Sequence, residues 1–113
     1  MNAGSDQTGM KVIAERLPSK EEFTDQVNSV FRADLNGGGA CDFHLVKIES
    51  LISNTFQESF SILFRAPADV PAFQNIYRLD NETLGEMDLF LVPVKKDEAG
   101  VYFEAVFNHL RAA

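Results

Sequence analysis

Cysteine occurs once, at Cys41, and tryptophan is absent from the 113 residues. A lone thiol cannot close an intramolecular disulfide, and one cysteine with two histidines cannot complete a four-ligand zinc set. Disulfide scaffolds and structural zinc fingers are thereby excluded, and no metal or other cofactor is expected. Basic residues are scarce as well. Ten Lys plus Arg stand against seventeen Asp plus Glu, for a net charge of -7 and a pI near 4.7. Such a surface is not built to neutralise nucleic-acid phosphates or anionic lipid, so neither nucleic acid nor membrane is an expected partner. No apolar run of about 18 residues is present to span a bilayer. The opening MNAGSDQTGM has neither the basic flank nor the apolar stretch of a secretory signal, which makes the cytoplasm the expected location.

What the chain has in quantity is phenylalanine, ten residues in a composition that is 45% hydrophobic. Its organisation reads as a polar leader over 1–9 and one domain over 10–113. The leader is small and polar and is expected to be disordered. Met10 to Leu17 is too short to phase. After Pro18, Ser19-Lys20-Glu21-Glu22 matches a capping box, in which the Ser19 hydroxyl and the Glu22 carboxylate satisfy each other's backbone N–H groups. A short helix is expected there, with Phe23, Val27 and Val30 as its apolar stripe and Asn28-Ser29 as its end.

From Phe31 the period changes to two. Phe31, Ala33 and Leu35 form a half-buried strand, and Gly37-Gly38-Gly39 allows the chain to reverse into Cys41 to Leu45. The alternation then slips between Leu45 and Val46, which predicts a bulge or burial of both faces. Ser53 to Glu58 reads as a polar connection, and Phe60, Ile62 and Phe64 mark a third strand. Pro67 and Pro71 break the pattern. Gln74 to Leu79 and Met87 to Val94 follow as strands four and five, separated by a turn at Asp80 to Thr83. Lys95 to Gly100 is a charged turn, Val101 to Asn108 the sixth strand, and His109 to Ala113 a tail. Six strands with one helix in front predict a mainly β fold. The expected form is a six-stranded antiparallel meander closed as a small barrel or folded as a two-layer sandwich. Missing inter-strand helices exclude a parallel doubly wound sheet and its dinucleotide crevice. Strands three, five and six carry large apolar groups such as Leu63, Phe90 and Phe103 on both parities. One face must therefore be hidden by closure, by the helix or by another chain.

The second half, ESFSILFRAP, IYRL, LGEMDLFLVPV and VYFEAVFN in that order, resembles a family of small uncharacterised bacterial β-rich proteins. Tyr102-Phe103-Glu104 has one residue more than the family's Tyr-Glu. The resemblance implies the β fold and brings no catalytic residues with it. Similar proteins accompany phage-tail-like components, which implies a role in assembly.

Cys41 and His44 could be nucleophile and base, but residues three apart on a strand project to opposite faces, so both are read as structural. Asp80, Glu82, Glu86 and Asp88 could offer oxygens to a cation, yet they lack the spacing of a calcium loop and read as a solvated turn. Arg65, Tyr77 and Glu104 are the tentative binding residues, placed at the mouth of the expected barrel. Asn108 is expected to terminate the last strand by bonding backbone. Most phenylalanines belong to the core, and any that remain outside would contact protein. The expected function is therefore a non-catalytic binding or assembly module that docks to a protein partner or to itself. The rival is a small-ligand carrier, or an enzyme with its site at the barrel mouth.

Overall fold

The computed structural model describes residues 17–110. The expected leader over 1–9, most of the unphased segment and the last three residues lie outside that range. Within it the chain is mainly β, with one short helix, α1 (Lys20–Thr24), and six antiparallel strands: β1 (Val30–Asp34), β2 (Ala40–Ser53), β3 (Gln57–Ala66), β4 (Asn75–Asn81), β5 (Gly85–Asp97) and β6 (Gly100–Leu110). The strands close into a barrel in the order β1-β2-β3-β6-β5-β4. It is made of two three-strand meanders. The run of hairpins is interrupted once, between β3 and β4, where Pro67 and Pro71 keep the chain out of the ladder and carry it across one end of the barrel.

The local signals act as the residues dictate. Ser19 Oγ accepts from Glu22 N at 3.1 Å and Glu22 Oε1 accepts from Ser19 N at 2.8 Å, which closes the capping box. The helix is shorter than its apolar stripe: Phe23 is buried, Val27 is half-buried in a following turn, and Val30 already begins β1. Asn28, at φ 77°, turns the chain so that its N–H donates to the Leu45 carbonyl at 2.7 Å. Asn36, Gly37 and Gly39 take positive φ in the β1–β2 reversal. A register shift between Leu45 and Lys47 is the bulge that the slipped alternation implied, and a second follows between Ser50 and Ile52. β2 then runs further than its sequence pattern suggested, to Ser53, before a turn in which Asn54 Oδ1 accepts from Phe56 N and Gln57 N, each at 2.9 Å.

The barrel axis is filled with aromatic rings. Phe43 stacks on Phe103 at 5.3 Å, Phe60 on Phe107 at 4.8 Å, and Phe31 meets Phe64 edge-on at 5.1 Å. Seven of the ten phenylalanines are buried: Phe23, Phe31, Phe43, Phe60, Phe64, Phe103 and Phe107. Each buried ring removes on the order of 150–250 Å2 from water, so these residues dominate the stability of the domain. Phe23 of α1 stoppers one end, 5.4 Å from the Phe107 ring, and Val70 of the β3–β4 connection is buried at the other. Asn81, almost fully buried, ties the Phe23 end together. Its Oδ1 accepts from Thr83 N and Leu84 N, and its Nδ2 donates to Ser29 Oγ and the Val30 carbonyl. The last strand does not stop at Asn108. That side chain accepts from Ser59 Oγ at 2.6 Å across the β3–β6 pair, and β6 continues to Leu110.

Candidate protein-docking site

β5 divides its pairing between two neighbours. Gly85 to Leu91 pairs with β4, whereas only Val92 to Asp97 pairs with β6, over Glu104 to Gly100. Beyond Val92 and Glu104 the two strands part, and among the described residues no strand pairs with the facing edges of Gly85–Leu91 and Ala105–Leu110. The barrel is thus closed at the Val70 end and split at the Phe23 end. The split is a cleft of about 390 Å3 lined by Leu17, Leu89, Phe90, Val92, Ala105, Val106 and Phe107, with Asp88 and Glu104 as its acids. Both parities of each strand reach it, because a missing ladder exposes the strand from the side. An unpaired edge leaves alternate backbone N–H and C=O groups to bond water or another chain.

In and beside the cleft, closure has left a set of large apolar side chains uncovered. Along β5, Met87, Leu89 and Leu91 are buried while Phe90 and Val94 are exposed; Ile76, opposite Phe90 on β4, and Val106 on β6 are exposed too. Among the large apolar residues that fall on both strand parities, Phe103 lies in the core, Leu63 is half-buried, and Phe90 is 55% exposed. A further apolar group surrounds the β2–β3 turn, with Leu51, Ile52 and Phe56 exposed, Phe56 most of all at 71%. Ser53, Asn54 and Thr55 give this turn the look of a solvated connection in the sequence. The signal available was the bracketing of those polar residues by Leu51, Ile52 and Phe56.

Arg65, Tyr77 and Glu104 do not converge. Tyr77 points into the core, 5% exposed, and its hydroxyl donates to the Phe73 carbonyl at 2.5 Å. Burial, and secondarily the Cys41 thiolate charge, push its phenol above the ordinary range. Arg65 and Glu104 share the outer face of adjacent strands but sit opposite Tyr102 and Leu63 respectively, as diagonal neighbours. Glu104 belongs to the cleft, whereas Arg65 lies in a shallow depression with Asp42, His44, Pro67 and Ala99.

Cys41 is half-buried against the core, while His44 sits three positions along β2, on the opposite parity. Burial and then the neighbouring Asp42 push the Cys41 thiol up, which is the reverse of what activates a nucleophile. In the acidic turn, Arg78 clamps Asp88 through Nε at 2.6 Å and reaches Glu86 through Nη1 at 3.3 Å. Two of the four acids are therefore held by a guanidinium, and no group of three His, Cys, Asp or Glu that could hold a metal is gathered among the described residues. No helix among those residues is long and apolar enough to cross a membrane.

A family profile described as Domain of unknown function (DUF6916) matches residues 18–107. The chain belongs to that family. The matched span runs from Pro18, just before α1, to Phe107 on β6, and so takes in the helix, the connection across the closed end and both walls of the split. Searches of curated proteins and of solved structures each found no match.

Proposed function

We propose that this chain is a non-catalytic binding or assembly module of a bacterial protein complex, acting in the cytoplasm and docking through the split and the apolar residues beside it. The observation that carries this reading is the contrast between a barrel axis occupied by stacked rings and a split end that leaves Phe56, Phe90 and Val106 between 54% and 71% exposed. A carrier of small apolar ligands places such rings around a cavity, whereas here they fill the axis. Large exposed apolar groups beside an unpaired strand edge are instead what a protein partner covers. The half-exposed Glu104 lines the split and fits the polar rim of such an interface, whereas Arg65 lies in a separate depression and Tyr77 is a core residue. The motif resemblance to proteins that accompany phage-tail-like components supports an assembly role of the same kind.

A photo-reactive phenylalanine analogue placed at 90 or 106, in cells that produce the full chain, tests the reading. Protein adducts should form at these positions and not at exposed Glu21 on α1. Equal yields at all three positions, or none, would overturn it.

A further inference from the structure

Val92 and Glu104 form the last rung between β5 and β6. Carried past that rung, the same register sets Leu91 across from Ala105, Phe90 from Val106, Leu89 from Phe107 and Asp88 from Asn108. Burial follows the same alternation on both strands: Leu89, Leu91, Ala105 and Phe107 are buried, whereas Asp88, Phe90, Val106 and Asn108 are exposed. The two walls of the split are therefore in phase although no ladder joins them among the described residues. A strand laid between them would find matching neighbours on both sides and two open edges for its N–H and C=O groups. The walls also dictate residue type. The outward position beside the last rung lies next to Glu104, which forms no ion pair among the described residues, and no Lys, Arg or His lines the cleft. The next outward position falls between Phe90 and Val106, where an apolar side chain would continue the row that Ile76 and Phe90 begin. The third falls between Asn108 and Asp88, an acid already held by Arg78.

We propose that the split accepts an extended segment of a partner protein as a seventh strand, its outward residues reading base, apolar, then polar or basic from the last rung onward, with apolar residues between them. This rests on the docking function proposed above and names the chemistry of the partner. The base meets the unpaired Glu104 carboxylate on a chain of net charge -7, and such complementarity decides which partner is accepted and in what register. Main-chain bonds to the two edges supply the rest, as in other cases of strand addition. β5 and β6 run in opposite directions, so the inserted strand is antiparallel to one wall and parallel to the other. The stretch from Glu104 to Asn108 corresponds to roughly 17 Å of strand, and contact over so short a length is weak and reversible.

The probe is a capped peptide of sequence Lys-Val-Ile-Val-Lys, whose residue order is the same from either end, added to the full chain while amide exchange is followed residue by residue. It should slow exchange at the split-facing amides of Gly85–Leu91 and Ala105–Asn108 together and leave the closed end unchanged. Lys-Val-Pro-Val-Lys has the same charge but cannot form the strand, and should protect neither wall. Glu104→Lys, with its fold checked by circular dichroism, should bind the lysine peptide about tenfold more weakly and should take up Glu-Val-Ile-Val-Glu in its place. Equal protection by the two lysine peptides, protection of one wall only, or an unchanged preference in Glu104→Lys would each overturn strand insertion by such a partner. So would walls that are already protected without peptide, whether at every concentration, as the chain's own residues 10–16 would protect them, or only on concentration, as a second copy would. If no peptide protected the walls while the photo-reactive residue at 90 or 106 still captured protein, the docking function would stand and strand insertion alone would be wrong.

Discussion

The two ends of the barrel solve the same problem in opposite ways. At the Val70 end the ladder continues between β5 and β6, and the proline-bounded connection lays Val70 over the core. At the Phe23 end the same two strands part after Val92 and Glu104, and α1 is inserted with Phe23 against Phe107. A closed sheet has no edges, and a splayed one has edges wherever it opens. The closed end therefore carries the burden of stability, and the split end is where the molecule can be completed by something else.

Substitutions should separate these roles. The largest loss is expected from Phe103→Ala, which empties the middle of the ring stack and should cost about 3–5 kcal/mol in denaturant unfolding. Gly100→Ala comes next. Gly100 has φ 156°, and an added Cβ would sit 2.0 Å from the Ala66 carbonyl oxygen, so β6 must separate from β3 at the closed end. A loss on the order of 3 kcal/mol should appear as a lower urea midpoint. Asn81→Ala removes the amide that binds Thr83, Leu84, Ser29 and Val30 at the split end. It should cost about 2 kcal/mol, and hydrogen exchange should quicken at the Thr83 and Leu84 amides before the closed end is affected.

Alkali should act next, through the core. Burial holds the Tyr77 and Cys41 protons more tightly in the folded chain than in the unfolded one. The stability from these groups is complete below the ordinary thiol and phenol ranges and is lost as pH rises through the raised values. Thermal scans should be level between about pH 7 and 8 and should fall from roughly pH 9 upward. Tyr77→Phe should flatten the upper part of that fall. The smallest effect on stability belongs to Phe90→Asp, expected within about 0.5 kcal/mol because the ring is already in water. A large destabilisation by Phe90→Asp would mean that the split-end surface is core after all, and the contrast between the ends would fail.

Much of the fold was legible because periodicity, caps and turn residues act locally. The Ser19–Glu22 reciprocal bond and the slip at Leu45-Val46 each predicted a feature that the structure contains, whereas the two-parity pattern of Met87 to Val94 predicted a strand covered on both faces and the structure leaves Phe90 and Val94 exposed. What could not be read was which strands would fail to meet. Val106 and Phe107 look the same in sequence whether β5 lies beside them or not, since pairing over long separations leaves no local mark. For the same reason Glu104 could be placed on a face but not in a cleft, and Tyr77, a residue of the tyrosine strand, gave no sign that its hydroxyl is spent on the Phe73 carbonyl. The apolar turn at Leu51 to Phe56 was hidden by the polar residues at its centre.

Residue-resolved amide exchange in dilute solution bears most directly on the claim that the barrel is closed at one end and split at the other. Alternate amides of Gly85–Leu91 and Ala105–Asn108 should exchange rapidly, while the amides of the closed end stay protected. Full protection of these β5 and β6 amides in dilute solution would contradict the account.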